Sequence, residues 1–167
     1  MTKNKKIIRT ADICDRHRED ARICELQFID FGGRNHFHGI VETFSTYESN
    51  LEIREVLSQG GEGKVLIVDG RGSMRTALCG GNIAAEACGF GWEGMIFNGA
   101  IRDRHEFIVL DLGVKALGTT AMPPANNTTG NVGGALHFGN VTFNPGNYLY
   151  ADQDGVILLE KAVHEKA

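Results

Sequence analysis

The sequence predicts a single α/β domain in which a central sheet is flanked by helices and the C-terminal third is β-rich. Three observations predict it. Val65-Leu66-Ile67-Val68 is a continuous apolar run stopped by Asp69-Gly70, the pattern of a strand covered on both faces. Strand, helix and strand signals then succeed one another within about 35 residues, the length of a βαβ unit. Beyond Ala135 helical periodicity stops, and short β-type runs alternate with turn residues.

Taken in order, Phe37 to Thr46 is rich in β-branched and aromatic residues after the Gly32-Gly33 turn and reads as an early strand. Ser49 and Asn50 are placed to cap a helix whose apolar stripe is Leu51, Ile53, Val56 and Leu57, and Gly60-Gly61 ends it. The apolar strand at 65–68 follows. A second helix starts near Gly81-Asn82 and uses Ile83, Ala84, Ala87 and Cys88; Gly89 and Gly91 break it, and a strand runs from Gly94 to Asn98. Glu106 to Leu110 reads as a short helix and Val114 to Gly118 as a strand. Residues 122–134, polar and rich in Pro, Asn, Thr and Gly, read as a mobile surface loop. Ala135 to Phe143 and Tyr148 to Glu160 read as strands punctuated by Gly139-Asn140, Pro145-Gly146 and Asp154-Gly155.

Composition narrows the function. With 167 residues, 42% of them hydrophobic, one domain over 1–167 is expected, with about the first ten residues as a flexible tail. A net charge of -4 supplies no basic field for direct nucleic-acid binding or for an anionic membrane. Lys3, Lys5, Lys6 and Arg9 form a basic cluster expected to be a solvated chain end. No apolar run approaches the roughly 20 residues that cross a bilayer. No signal-peptide stretch follows MTKNKK, so a cytoplasmic location is expected. Cys14, Cys24, Cys79 and Cys88 form no Cys-x-x-Cys pair, which argues against a zinc knuckle or a dithiol site and leaves free thiols. The sequons at Asn126 and Asn127 would meet no glycosylation machinery in that compartment.

In open α/β sheets, ligands bind beyond the carboxyl ends of strands, where helix N-termini offer free backbone N–H groups. Two such places occur. At Gly80-Gly81-Asn82-Ile83 the absent side chains let an anion approach the second helix, although taken alone a Gly-Gly pair before a helix more often serves close packing or a turn. At Asn98-Gly99-Ala100-Ile101-Arg102-Asp103 an Arg fork can hold a carboxylate through two parallel hydrogen bonds, and the adjacent Asp can bind a hard divalent cation. Glu106 follows Asp103 by close to one helical turn and could accept a hydrogen bond from a water on that cation. Spacing alone reads more readily as an exposed Arg-Asp pair with a solvated Glu. His36 and His38, on one strand face, lack a nearby third ligand and read as structural. Asp152 and Asp154 flank a Gly turn and read as turn-formers, while Asp69, closing its strand, is a candidate to support the pocket from behind.

Gly81, then residues 82 to 101, then Arg102, Asp103 and Glu106 make the pattern Gly-x20-Arg-Asp-x2-Glu/Asp. Together with Asp30-Phe31-Gly32-Gly33-Arg34, Val68-Asp69-Gly70, Trp92-Glu93-Gly94, Phe138-Gly139-Asn140-Val141-Thr142-Phe143 and Tyr150-Ala151-Asp152, it covers most of the chain. The whole resembles the family that unites the regulator of ribonuclease E activity A with the class II 4-hydroxy-4-methyl-2-oxoglutarate aldolases. That resemblance implies a swivelling β/β/α fold assembled as a homotrimer, with sites near subunit boundaries. It implies that the backbone of Gly80, Gly81, Asn82 and Ile83 and the side chain of Arg102 hold the carboxylate of a 2-oxo acid such as pyruvate. By the same resemblance Asp103 ligates Mg²⁺ or Mn²⁺, partly through waters; Arg102, Asp103 and Glu106 are the candidate catalytic residues, with a metal-bound water near Glu106 as the candidate for proton transfer. The implied reaction is retro-aldol cleavage to pyruvate, with oxaloacetate decarboxylation passing through the same enolate.

The family also implies an alternative, a non-catalytic trimer that inhibits ribonuclease E or another RNA-processing enzyme by protein contact. Two departures from the family pattern stand out. Arg71 occupies a place where many relatives continue a run of glycines, and the chain ends soon after Glu160. Longer aldolases of the family place a C-terminal acid in a neighbouring subunit's site, which Glu160 or Glu165 need not replace. Members acting mainly as regulators can lack the Asp after the Arg, and Asp103 is present here.

Overall fold

The computed structural model describes residues 6–165, and in it regular structure begins earlier than expected. Helix α1 (Thr10–Arg16) is followed by the short strands β1 (Arg22–Cys24) and β2 (Ile29–Asp30). Strands this short contain too few residues for alternation to reveal them. Of the expected tail, residues 1–5 lie outside the described residues, whereas Thr10 is buried. Its N–H and its hydroxyl donate to the two carboxylate oxygens of buried Asp152, each at 2.8 Å. Asp152 also accepts the Asp154 N–H at 2.9 Å, so the expected turn-former doubles as the latch for α1.

The middle of the chain alternates as expected except for one added strand, β5: β3 (Phe37–Ser45), α2 (Ile53–Ser58), β4 (Lys64–Asp69), β5 (Ala77–Cys79), α3 (Gly81–Gly89), β6 (Gly94–Ile101), α4 (Arg104–Phe107) and β7 (Gly113–Thr119). The last third adds β8 (Asn131–Val132), β9 (Leu136–Phe138), β10 (Val141–Phe143), β11 (Tyr148–Asp152) and β12 (Gly155–Leu159). Among the described residues ten strands share one sheet, in the order β1-β12-β11-β3-β4-β6-β7-β2, with β5 added to β6 and β8 to β3. The centre, β3-β4-β6-β7, is parallel, and the flanking strands β11, β12, β1 and β2 are antiparallel.

The apolar run of β4 explains the layers. Successive side chains point to opposite faces, so Leu66 and Val68 join a core with Ile53 and Leu57 of α2 and Ile83, Ala84 and Ala87 of α3. Val65 and Ile67 join a second core with Leu136, Phe138, Val141 and Phe143 of the β9-β10 hairpin and with Leu149 and Leu158. Helices cover one face and β-structure the other, which is a β/β/α layering.

Three local expectations are corrected. Ser49 and Asn50 do not cap α2: the residue before it is Glu52, without a side-chain cap, because the Asn50 amide instead donates to Leu78 O at 3.1 Å and so holds β5. The helix expected from Glu106 to Leu110 starts at Arg104, where Asp103 turns the chain with φ 63°, and it buries Phe107. The loop at 122–134 contains β8 and is fastened at several points. Asn50 N–H donates to Asn126 Oδ1 at 2.9 Å, Gly130 N–H to Glu52 Oε1 at 2.9 Å, and Gly133 N–H to Thr43 O at 2.8 Å.

Part of the motif set is structural. Arg34 binds Glu93 Oε2 at 2.7 Å and Asp111 Oδ1 at 3.0 Å, joining the start of β6 to the turn before β7. Burial works against the Arg34 charge, but its two carboxylate partners outweigh that and raise its pKa. Trp92 is buried and donates to Leu57 O at 2.9 Å, tying the same region to α2. His36 lies just before β3 with Nδ1 3.1 Å from Asn35 Oδ1, and His38 Nδ1 is 2.7 Å from the Tyr148 hydroxyl, so the pair is not on one strand.

Candidate active site

β5 and β6 are paired in parallel, with Cys79 opposite Ile101, so Gly80 and Arg102 leave the carboxyl edge of the sheet side by side. The crossing Arg102 N–H to Cys79 O bond, 3.0 Å, fixes the exit. β5 carries no signal separable from the surrounding loop, yet it is the element that delivers Gly80 and Gly81 to the site. The start of α3 and the end of β6 therefore come together, and with them Gly80, Gly81, Arg102, Asp103 and Glu106.

Asp103 sits in the left-handed region, which Asp tolerates better than most residues. That conformation turns its carboxylate back onto α3, where Oδ2 accepts the Gly81 N–H at 3.2 Å. A Cβ on Gly80 would stand 2.7 Å from that oxygen and 3.7 Å from Arg102 Nε, and a Cβ on Gly81 would overlap the Glu106 carboxylate. The two glycines thus make room for acid side chains, where the sequence reading had them make room for a ligand. Asn82 and Ile83 N–H have no acceptor among the described residues and remain open at the helix start.

Arg102 is partly buried and donates from Nη1 to Ala121 O at 3.3 Å. It has no carboxylate partner among the described residues, and the one side-chain hydrogen bond it makes there is to that carbonyl. A backbone carbonyl has no residue identity, which is why the role of Ala121 left no mark in the sequence. Glu106 Oε1 lies 3.7 Å from His105 Nε2 on the exposed side. Cys79 is no nucleophile: burial, then the nearby charge of Asp103, push its thiol far up.

Among the described residues no three His, Cys, Asp or Glu side chains gather as a metal cage. The donor set, Asp103 with Glu106 close by, fits a hard cation that keeps several waters and takes one or two carboxylates, as Mg²⁺ and Mn²⁺ do, and not a closed zinc site. Asp69 Oδ1 accepts from Asn98 Nδ2 and from Arg71 N–H, both at 2.9 Å, so it braces the neighbouring strand end. Glu160 and Glu165 lie beyond β12 and are exposed.

Residues 10–158 match the family model described as RraA-like, Aldolase/RraA. A relative from Alkalilimnicola ehrlichii, provisionally named a 4-hydroxy-4-methyl-2-oxoglutarate aldolase, is 42% identical over 92% of this chain and 96% of its own. Two solved structures superpose with TM-score 0.91 at 40% identity. One is described as the RNA-processing inhibitor RraA from Thermus thermophilis, covering 95% of this chain and 96% of that one. The other is described as an S-adenosylmethionine:2-dimethylmenaquinone methyltransferase from Geobacillus kaustophilus, covering 93% and 97%. With its layers, its strand order and the Gly81, Arg102, Asp103 and Glu106 constellation, the chain belongs to the RraA-like family.

Proposed function

We propose that the protein is a divalent-cation-dependent carbon–carbon lyase of the 4-hydroxy-4-methyl-2-oxoglutarate aldolase type, a cytoplasmic homotrimer that also decarboxylates oxaloacetate. One observation carries the reading: among the described residues the Arg102 fork has no carboxylate partner, yet it stands beside a carboxylate, Asp103, that is held by a helix N–H. The provisional names of the relatives at 40–42% identity point the same way.

Cleaving the bond next to a 2-oxo acid leaves an electron pair that must spread onto the oxo oxygen. Arg102 and the free N–H groups of Asn82 and Ile83 would hold the substrate carboxylate and keep the breaking bond aligned. Asp103 would hold Mg²⁺ or Mn²⁺, its orientation set in advance by the Gly81 N–H. The cation, when bound, supplies Lewis-acid stabilisation of the developing charge. Glu106, against Gly81, would take the hydroxyl proton as the bond breaks and return one to carbon.

The test is pyruvate release from oxaloacetate and from 4-hydroxy-4-methyl-2-oxoglutarate with Mg²⁺ present. EDTA should abolish it, and Arg102→Ala or Asp103→Ala should lower kcat/KM by about 100-fold or more. Full activity in both variants would end the assignment. The second reading, a regulator of an RNA-processing enzyme, is favoured by the likeness to the Thermus inhibitor. Inhibition of a ribonuclease E-type enzyme by Asp103→Ala, with no lyase activity in the parent protein, would select it. Methyl transfer needs neither a free guanidinium nor a carboxylate for a hard cation, so the site gives it no support.

A further inference from the structure

A cleft of about 150 Å³ opens at the same carboxyl edge of the sheet, between the end of β3, the turn after β4 and the segment leading into β8. Its walls are Ser45 to Tyr47, Arg71, Thr128, Thr129 and Asn131, and none of them is acidic. Other clefts differ in this respect: one of about 630 Å³ carries Glu19, Asp20 and Glu160, and one of about 250 Å³ carries Glu25 and Asp154.

Arg71 is the charge in the small cleft. Its guanidinium carbon stands 5.4 Å from the centre of the Tyr47 ring, and it has no carboxylate partner among the described residues. Arg75, at 6.0 Å from the same ring, is neutralised by Glu48 through a 2.7 Å contact. Arg71 therefore remains the guanidinium of this cleft without an ion-pair partner among the described residues. The hydroxyls of Thr46 and Thr128 are spent on Ser49 O and Tyr47 O, but the side chains of Ser45, Thr129 and Asn131 have no hydrogen-bond partner among the described residues. A free guanidinium ringed by free donors is the composition of an oxyanion site.

The site is also built. Arg71 is a non-glycine residue at φ 56° between Gly70 and Gly72, a conformation that costs about 1 kcal/mol or more. Asp69 holds that turn through the Arg71 N–H, and Gly72 N–H is anchored on Asn98 O at 3.1 Å.

We infer that this cleft binds the carboxylate or phosphate group of a small molecule, with Arg71 as its anchor. Two sources share that chemistry: the far carboxylate of a ligand anchored at Arg102, or a free phosphate-bearing metabolite. Backbone amide NMR at constant ionic strength tests it, with inorganic phosphate and the unreactive dicarboxylate malonate as probes. At least one probe should give saturable shifts at Arg71, Thr129 and Asn131, with affinity about tenfold weaker in Arg71→Ala. Malonate shifts lost in Arg102→Ala identify the far-carboxylate source, whereas phosphate shifts retained there identify a free anion; either result supports the site. Non-saturating shifts with both probes, or equal affinity in an Arg71→Ala protein whose remaining spectrum is unchanged, overturn it. Binding is read without turnover, so the lyase reading and this one stand or fall separately.

Discussion

Asp103 adopts a left-handed backbone, and that one angle parts it from Arg102, sending its carboxylate to the Gly81 N–H while the guanidinium runs to Ala121 O. The residue types at this edge of the sheet, a guanidinium fork, carboxylates and side-chain-free glycines, could be read from the sequence because each is a property of one amino acid. Their division of labour could not, since it depends on a torsion and on a carbonyl contributed from another segment. Gly81 gives a sharp test. Alanine at this first residue of α3 would place a Cβ where the Glu106 carboxylate lies and displace it. Gly81→Ala should therefore lower pyruvate release at least about tenfold while the protein still folds, as read by far-ultraviolet circular dichroism. Unchanged turnover would remove Glu106 from the proton path.

At the scale of elements, long apolar runs such as β4 could be placed from sequence, because two-sided burial leaves a pattern several residues long. β5 and β8 could not, because two or three residues hold no period and exist only by pairing with β6 and β3. Pairing also makes a prediction in β11. Tyr148 faces β3, its hydroxyl 2.7 Å from His38 Nδ1, and burial, then Tyr150 and Glu93, push its phenol up to about 12. A phenol raised in the fold stays neutral there longer than in the unfolded chain. Its contribution is complete below the ordinary value of 10.0 and is lost as pH climbs through about 12. Denaturant titrations of the parent should thus lose more stability between pH 10 and 12 than those of Tyr148→Phe. Parallel curves would show that the phenol titrates alike in both states.

For the whole molecule, exposed apolar side chains gather beside the site: Ile108 and Val109, at the end of α4, are 70% and 81% exposed. The proposed homotrimer would be read by light scattering as three copies of the 18.2 kDa chain, and a monomer at working concentration would contradict it. By itself the sequence determined the α/β class, the parallel centre and the identities Gly81, Arg102, Asp103 and Glu106, because periodicity and side-chain chemistry are properties of the chain read locally. Only the tertiary structure decided that the two glycines accommodate carboxylates, that the Asp30 to Arg34 segment ends in a clamp, and that α1 is latched by Asp152. Each of those is a meeting of segments far apart in sequence, and which partners meet is settled by how the two cores close around β4.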